Sequence, residues 1–526
     1  MKQSLLLSVL AILCQSSFGQ AVFQHRYYLP DSIYYSAIKT TEKSDGRFLN
    51  MTINTDLSPD KQIHICETDS LGNHQLYKVY TDLVDYSEYA DMDVLPTGEF
   101  AVVGQSGLTD ATALFFDSAA NLTSAKKYPI GLYSNLISVF HSANNSYVMC
   151  GGQSQPQNAI VLETDYSGNI IRENEYYVNA QPTVFRNGIL LRNGNRLFYG
   201  TAEVTSGTLV KPQLAILETD SVGNAIWGLQ TGDTSATFTP KAAIELEDSS
   251  IILSGQFIKG SGLNSLYTFL AKISPSGHVL WIRKYQSPDY FSFADAVAVG
   301  SDRIVFTGYT IPSTGGEACI ICVCDTAGHV LYTSGVHAAQ YGLDAADITA
   351  CSDGSVLITA TNPLGNGFYY RCMLKTDTLF HVKCDEQPEQ FTDTLIGFYE
   401  STGYIQVSTF VSPVNISLGN FPVTSPNAIE SNACDPNYIA NLNSTNSKLL
   451  GYFSNEGLNL QFNNDEAAKF DFILMDLSGR VIMRRSLSTM SGENRLLIPM
   501  EALPSGLYIA QLFSTKQSML CKIVAE

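Results

Sequence analysis

Along residues 20–430 short apolar runs alternate with turns rich in Asp, Asn, Ser and Gly. The run Phe100-Ala101-Val102-Val103 follows the turn pair Thr97-Gly98 and ends on Gly104. Another, Val279-Leu280-Trp281-Ile282-Arg283-Lys284-Tyr285, follows Ser276-Gly277. Runs this short, bounded by turn residues, predict β-strands. No segment here carries a convincing amphipathic-helix period.

The turns repeat. Glu67-Thr68-Asp69-Ser70-Leu71-Gly72-Asn73 recurs as Glu163-Thr164-Asp165-Tyr166-Ser167-Gly168-Asn169 and as Glu218-Thr219-Asp220-Ser221-Val222-Gly223-Asn224. Weaker copies centre on Asp117, Ser274, Asp325 and Asp377, so seven matches stand 48 to 55 residues apart. Asp and Asn suit such turns because their side chains bond nearby backbone N–H groups, and the Gly tolerates positive φ. A second column holds Gly104, Gly151, Gly200, Gly255, Gly308 and Ala360 near the end of an upstream strand. A Gly repeated at one strand position implies that another backbone passes close by. A strand precedes each upstream turn and another follows each Asp turn, giving four per unit.

Four short strands per repeat of about 50 residues predict an all-β fold, a β-propeller, rather than a β-helix with its shorter coil. Strict counting gives seven whole units and a split eighth, leaving a choice of seven or eight blades. Phe23 to Leu29 reads as a last strand without its three predecessors, and Leu395–Phe398 and Tyr404–Val407 as two further strands. An N-terminal strand completing the final blade would fasten the ring and remove open edges. Trp227, Trp281 and Tyr332 share one repeat position. That placement favours packing between blades over carbohydrate stacking.

The 526 residues carry Lys+Arg 31 against Asp+Glu 50, a formal charge of -19. Nucleic-acid and anionic-lipid partners need basic surface, so both are disfavoured. Residues 450–526 hold seven Lys/Arg and eight Asp/Glu, so the acidity belongs to the repeat region. Met1-Lys2-Gln3, the apolar Leu5 to Cys14 and the small residues Ser17 and Gly19 read as a signal peptide, 1–19, cleaved after Gly19. No later run is long enough for a transmembrane helix. The propeller is assigned to 20–430, a polar linker to 431–447, and a small β-sandwich to 448–526, where six short apolar runs lie between polar turns.

That last segment resembles the type A C-terminal sorting domain of the type IX secretion system of the Bacteroidota. The resemblance rests on Phe472-Ile473-Leu474-Met475-Asp476-Leu477-Ser478-Gly479-Arg480-Val481, on Leu503-Pro504-Ser505-Gly506-Leu507-Tyr508-Ile509-Ala510, and on Lys522-Ile523-Val524. Asp476, Gly479, Gly506, Tyr508 and Lys522 are its motif residues. Gly451-Tyr452-Phe453-Ser454-Asn455 lacks the Tyr-Pro-Asn-Pro-like opening common in that family. The resemblance implies secretion machinery as a partner and a cell-surface or released product. Asp-Ser/Thr-aliphatic turns at Ser70, Ser118, Ser221, Thr326 and Thr378 likewise resemble the O-glycosylation acceptors of Bacteroidota, though turn chemistry alone explains them.

Candidate chemistry is sparse. Cys319, Cys322 and Cys324 look like a metal cluster, but Cys322 and Cys324 occupy repeat columns held elsewhere by Leu and Thr. They are expected to be strand residues. Cys384 and Cys434 are the candidate disulfide. His spacing matches no zinc motif, and no Gly-x-Ser-x-Gly elbow occurs. One further column, seven residues before each upstream turn Gly or its equivalent, reads Lys39, Asp91, Ser138, Asn187, Ala242, Asp295 and Asp347. If these begin the innermost strands they ring one mouth of the central channel. Asp91, Asn187, Asp295 and Asp347 would then offer oxygen ligands to a polar molecule or Ca²⁺; strand-start capping is the plainer role. The expected function is an exported binding or adhesion module with a glycan or protein ligand. The alternative is a secreted hydrolase or lyase acting on polysaccharide or peptide.

Overall fold

The computed structural model describes residues 22–432 and 450–525, less short connecting stretches between strands. The signal-peptide segment, Cys384, Cys434 and Gly479 lie outside the described residues. Apart from turns, the described elements are β-strands. The chain divides into two compact units, residues 1–430 and 431–526.

The first unit is a seven-bladed propeller. Blade 1 runs through Tyr35–Glu42, Phe48–Asn54, Ile63–Thr68 and His74–Tyr80. Blades 2 to 6 repeat that antiparallel order, and the first strands of successive blades meet in a closed cycle around the channel. Blade 7 supplies Asp344–Ala350, Val356–Leu364 and Phe368–Lys375, and takes its fourth strand, Phe23–Tyr28, from the N-terminus. The Asp377 turn is followed by no fourth strand of its own in this sheet, so the N-terminal strand completes the seventh blade and no eighth forms.

The chain beyond blade 7 makes a belt. It travels backwards round the ring and adds a fifth strand to each outer edge. Glu386–Pro388 lies on blade 6, Thr392–Leu395 on blade 5, Tyr399–Thr402 on blade 4 and Tyr404–Thr409 on blade 3. Val414–Asn415 follows on blade 2, Val423–Thr424 on blade 1, and Ile429–Asn432 on the N-terminal strand of blade 7. The strand-like runs near residues 395 and 404 therefore cap existing blades. Their role is edge protection: an uncapped outer strand presents unpaired N–H and C=O groups. Belt carboxylates also bridge blades. Asp393, paired with blade 5, accepts from Arg283 Nη1 at 2.5 Å and from the Val330 N–H of blade 6 at 3.5 Å. Glu400, paired with blade 4, accepts from the Val279 N–H of blade 5.

The repeated turns do the chemistry their residues suit. In blade 1 the Asp69 carboxylate accepts from the N–H groups of Leu71 and Asn73 at 2.9 and 2.8 Å. Asp117, Asp165, Asp220, Asp325 and Asp377 repeat the pattern. The turn residue keeps a left-handed conformation even where Gly is replaced, as at Ala120 (φ 56°) and Phe380 (φ 68°). In blades 1, 2, 3 and 5 a buried tyrosine eight residues after the turn Gly, or its equivalent, reaches the next blade's turn carbonyl. Tyr128 donates to Gly168 at 3.0 Å, Tyr176 to Gly223 at 2.6 Å and Tyr285 to Gly328 at 2.5 Å. Trp227 and Trp281 lie beneath Gly277 and Gly328 of the following blades, and Tyr332 meets His381 at 3.0 Å. The shared aromatic position is thus filled by packing between blades.

Six junctions between blades are apolar, each closed by twelve to sixteen buried side chains. The junction of blades 7 and 1 differs: Phe23, Tyr27, Phe48, Cys351, Leu357 and Met373 form its cluster. Cys66, Tyr77 and Val79 of blade 1 form a smaller cluster beside it, and polar groups lie among them. Buried Arg371 donates to Asn50 Oδ1 at 2.7 Å and lies 4.6 Å over the Tyr27 ring.

The second unit packs a three-stranded sheet (Leu450–Ser454, Gly457–Asn464, Gly492–Ile498) with a four-stranded one (Val481–Thr489, Ala468–Asp476, Gly506–Phe513, Ser518–Ala525). Leu458, Leu460, Phe462, Phe470, Phe472, Leu474, Ile498 and Leu512 are buried in its core. Among the described residues the sandwich has seven strands rather than the six read from the sequence, Leu450–Ser454 being the addition.

Candidate functional site in the central channel

The column Lys39, Asp91, Ser138, Asn187, Ala242, Asp295, Asp347 occupies equivalent positions on the seven innermost strands. Asp91 is the first described residue of its strand, Asp91–Val94, but the other six do not start theirs. In these six blades the column sits in mid-strand, directly after a β-bulge, so the ring lies within the channel rather than at a strand-start mouth. A bulge inserts one residue into one strand and re-aims the next side chain. The Gly column explains why the bulge fits. Leu136, Phe185, Pro240 and Phe293, just before the bulge, pair with Gly151, Gly200, Gly255 and Gly308. A Cβ on Gly200 would stand 1.9 Å from the Val184 carbonyl oxygen, and one on Gly308 2.1 Å from that of Ser292. The close backbone expected from the repeated Gly is this bulged carbonyl.

The ring is a bonded network. Lys39 Nζ lies 3.2 Å from Asp347 Oδ1 and 3.9 Å from Asp295 Oδ2. The other Asp347 oxygen accepts the Thr40 N–H of blade 1 at 2.7 Å. On the other side of Lys39, in blade 2, Asp91 Oδ2 accepts from the Ser138 hydroxyl at 2.8 Å and the Val139 N–H at 3.1 Å, both of blade 3. Ser138 also meets Asn187 Oδ1. Each of these bonds joins different blades. Asp91, Asn187 and Asp295 further accept from the backbone N–H of their own successors, at 2.9, 2.7 and 2.8 Å.

Electrostatics separates the members. Asp347 holds the Lys39 ammonium well above its usual pKa, while a third of the Lys39 side chain stays open to the channel. Burial raises Asp91 despite Lys39 and its hydrogen bonds. Burial, reinforced by the neighbouring Asp347 carboxylate, pushes Asp295 up to about 8. At neutral pH Asp295 is therefore largely protonated and shares a hydrogen bond with Asp347.

The sequence did not single out the side chains behind the ring. Twelve residues after each column member, its cross-strand partner is Met51, Val103, Cys150, Tyr199, Ser254, Thr307 or Thr359. Buried Tyr199 feels Asp295, Lys39 and Asp91, and burial holds its hydroxyl well above the usual range. The constant offset is a signal that could have found them. Ser70, Ser118 and Thr378 are exposed on their turns, and Ser221 and Thr326 half-buried. Cys319, Cys322 and Cys324 are free, fully buried strand residues. Among the described residues no cluster of three or more His, Cys, Asp or Glu is arranged to hold a metal ion. In the second unit Asp476 pairs with Tyr508, Gly506 with Ala525 and Lys522 with Ile509, which places these motif residues on one sheet. Tyr508 is buried there.

Residues 454–526 match the family model of the secretion system C-terminal sorting domain. A comparison with curated proteins gave no match. Among solved structures the chain is similar to the Pan2 WD40 domain of Neurospora crassa, at 9% identity and TM-score 0.37, covering 66% of this chain and 97% of that one. It is also similar to a mutant NanB sialidase of Streptococcus pneumoniae, at 12% identity and TM-score 0.39, covering 68% and 70%. The intramolecular trans-sialidase of Ruminococcus gnavus is a third, at 11% and 0.35, covering 65% and 94%. Such distant likenesses assign no activity. Fold and tail together define the class: a β-propeller repeat protein delivered by a C-terminal sorting signal. More particularly, it is a seven-bladed propeller with a type IX sorting domain, which indicates export to the cell surface or secretion. No helix among the described residues is long and apolar enough to cross a membrane.

Proposed function

We propose that the chain is an exported, non-enzymatic binding or adhesion module that the type IX machinery delivers to the cell surface or the medium. The carrying observation is that Asp91 and Asp347 commit their oxygens to neighbouring blades, which rigidifies the ring instead of presenting a free acid–base pair. A glycan, a peptide or a Ca²⁺ ion engaging the channel through Asp91, Asn187, Asp295 and Asp347 would exchange some of the ring's hydrogen bonds for its own. A glycan array and a hydrolase screen on the purified protein test the reading together. Binding that survives alanine at Asp91, Asp295 and Asp347, with thermal stability unmoved by Ca²⁺, would remove the channel from it.

A second reading has one observation in its favour. Asp295 is hydrogen-bonded to Asp347 with 17% of its side chain open, and burial holds its carboxyl above the usual range. Such a pair suits general acid catalysis in a secreted hydrolase or lyase. Turnover of any substrate in the screen, lost in Asp295→Asn, would establish it. Export further entails leader removal after Gly19, which N-terminal sequencing reads. The intact mass tests glycans on Ser70, Ser118, Ser221, Thr326 and Thr378, and a non-reducing digest tests the Cys384–Cys434 disulfide.

A further inference from the structure

Blade 7 is assembled from three separate parts of the chain. Its sheet runs Asp344–Ala350, Val356–Leu364, Phe368–Lys375, then Phe23–Tyr28, then Ile429–Asn432. The N-terminal strand is thus interior to the sheet, and the belt's final strand has only that strand to pair with. The register fixes the first of these pairings, from Phe23 opposite Lys375 to Tyr27 opposite Arg371. A strand cannot add to an edge that has not formed. Seating of Ile429–Asn432 therefore requires that Phe23–Tyr28 be seated first.

Among the described residues, the cluster at the junction of blades 7 and 1 that includes the N-terminal strand has six buried apolar side chains, and Cys66, Tyr77 and Val79 form a second, smaller one on blade 1. Two of the six, Phe23 and Tyr27, belong to the N-terminal strand. Tyr27 further donates to the Gly72 carbonyl of blade 1 at 2.6 Å, and Phe23 fills the space beneath Gly72. Removing the strand would take from this junction the Phe23 and Tyr27 rings and the Tyr27 hydrogen bond, leaving polar bonds such as Arg371 to Asn50 and Thr40 to Asp347. Here the ring depends on a segment almost 350 residues from the blade it closes.

We infer that blade 7 is a closure sensor, in which the anchoring of the tether to the sorting domain depends on completion of the ring. The sorting domain match begins at 454, shortly after the last belt strand. With the N-terminal strand seated, the tether leaves a hydrogen-bonded strand on a closed ring. With it unseated, Ile429–Asn432 loses its partner and the tether starts from a free belt end. The export consequence rests on the proposed delivery route; the pairing consequence does not.

Hydrogen exchange on the full-length chain reads the pairing. In the double variant Phe23→Ala/Tyr27→Ala, amides of 429–432 should exchange about tenfold faster along with those of 23–28, while blades 3 to 5 keep their protection. Unchanged protection at 429–432 with 23–28 freely exchanging overturns the inference. Should that variant not fold, Glu430→Pro acts at the other partner. It should expose 429–432, leave 23–28 paired with Phe368–Lys375, and lower the exported fraction several-fold in the native host. Full export of a Glu430→Pro chain whose 429–432 amides exchange freely overturns the coupling. Failure of the unmodified chain to be exported would instead refute the delivery route, with the exchange result still deciding the pairing.

Discussion

Two ionisable side chains show how position overrides residue type. His64 is buried at the junction of blades 7 and 1, its ring within 2.5 Å of the Tyr77 hydroxyl. Burial, helped by the Arg371 guanidinium, pushes its pKa down to about 3. Below the ordinary value near 6.5 the unfolded chain binds a proton that the folded chain refuses. Stability is therefore lost as pH falls from 6.5 towards 3, by about 1.4 kcal/mol per unit for this group. In urea titrations over that range, His64→Phe should show a shallower loss than the unmodified protein. Asp295 works in the opposite sense. Its folded value of about 8 means the folded chain holds a proton that the unfolded chain has released above pH 4. Its contribution is complete below that point and declines as pH rises through 8. Asp295→Asn keeps a donor towards Asp347 without the charge. It should raise stability at pH 8 by about 1–2 kcal/mol and flatten the alkaline limb of a Tm–pH profile.

At the scale of strands and turns, the link between the Gly column and the bulge gives a contrast between two glycines. Gly200→Ala would drive a Cβ into the Val184 carbonyl at 1.9 Å and should cost about 3–4 kcal/mol. Gly194 has φ +85° but nothing within 4 Å of a Cβ, so Gly194→Ala should cost only the backbone strain, about 1–2 kcal/mol. Equal losses in a denaturant series would break the bulge explanation. These elements also show what a single sequence displays. The Asp turns were legible because a five-residue motif carries its own hydrogen bonds. The column was legible as a column, yet its depth was not, because bulges are visible only in the pairing of two strands. The belt was nearly silent. Val414–Asn415 and Val423–Thr424 are two residues each, too short to show a period, and the neighbouring blades alone fix their register.

For the whole molecule, blade number followed from the repeat only once the two chain ends were placed. Which end completes which sheet is a long-range pairing, and no local signal near Phe23 names Phe368–Lys375 as its partner. The tail was legible from its motifs because that small sandwich carries its own core. Deleting residues 454–526 should leave the propeller's Tm unchanged while abolishing its appearance at the surface or in the medium, as fractionation and immunoblotting would show. The backward belt also sets a clock. The edge of blade 1 at Tyr80 waits for Val423. At about 5–20 residues per second, synthesis needs on the order of twenty to seventy seconds to supply that cover. A first blade that formed as it was synthesised would stand through that interval with its outer strand open to any other strand in reach. A chaperone hold during export, or a delay in folding itself, is what such a winding order demands of the cell that makes it.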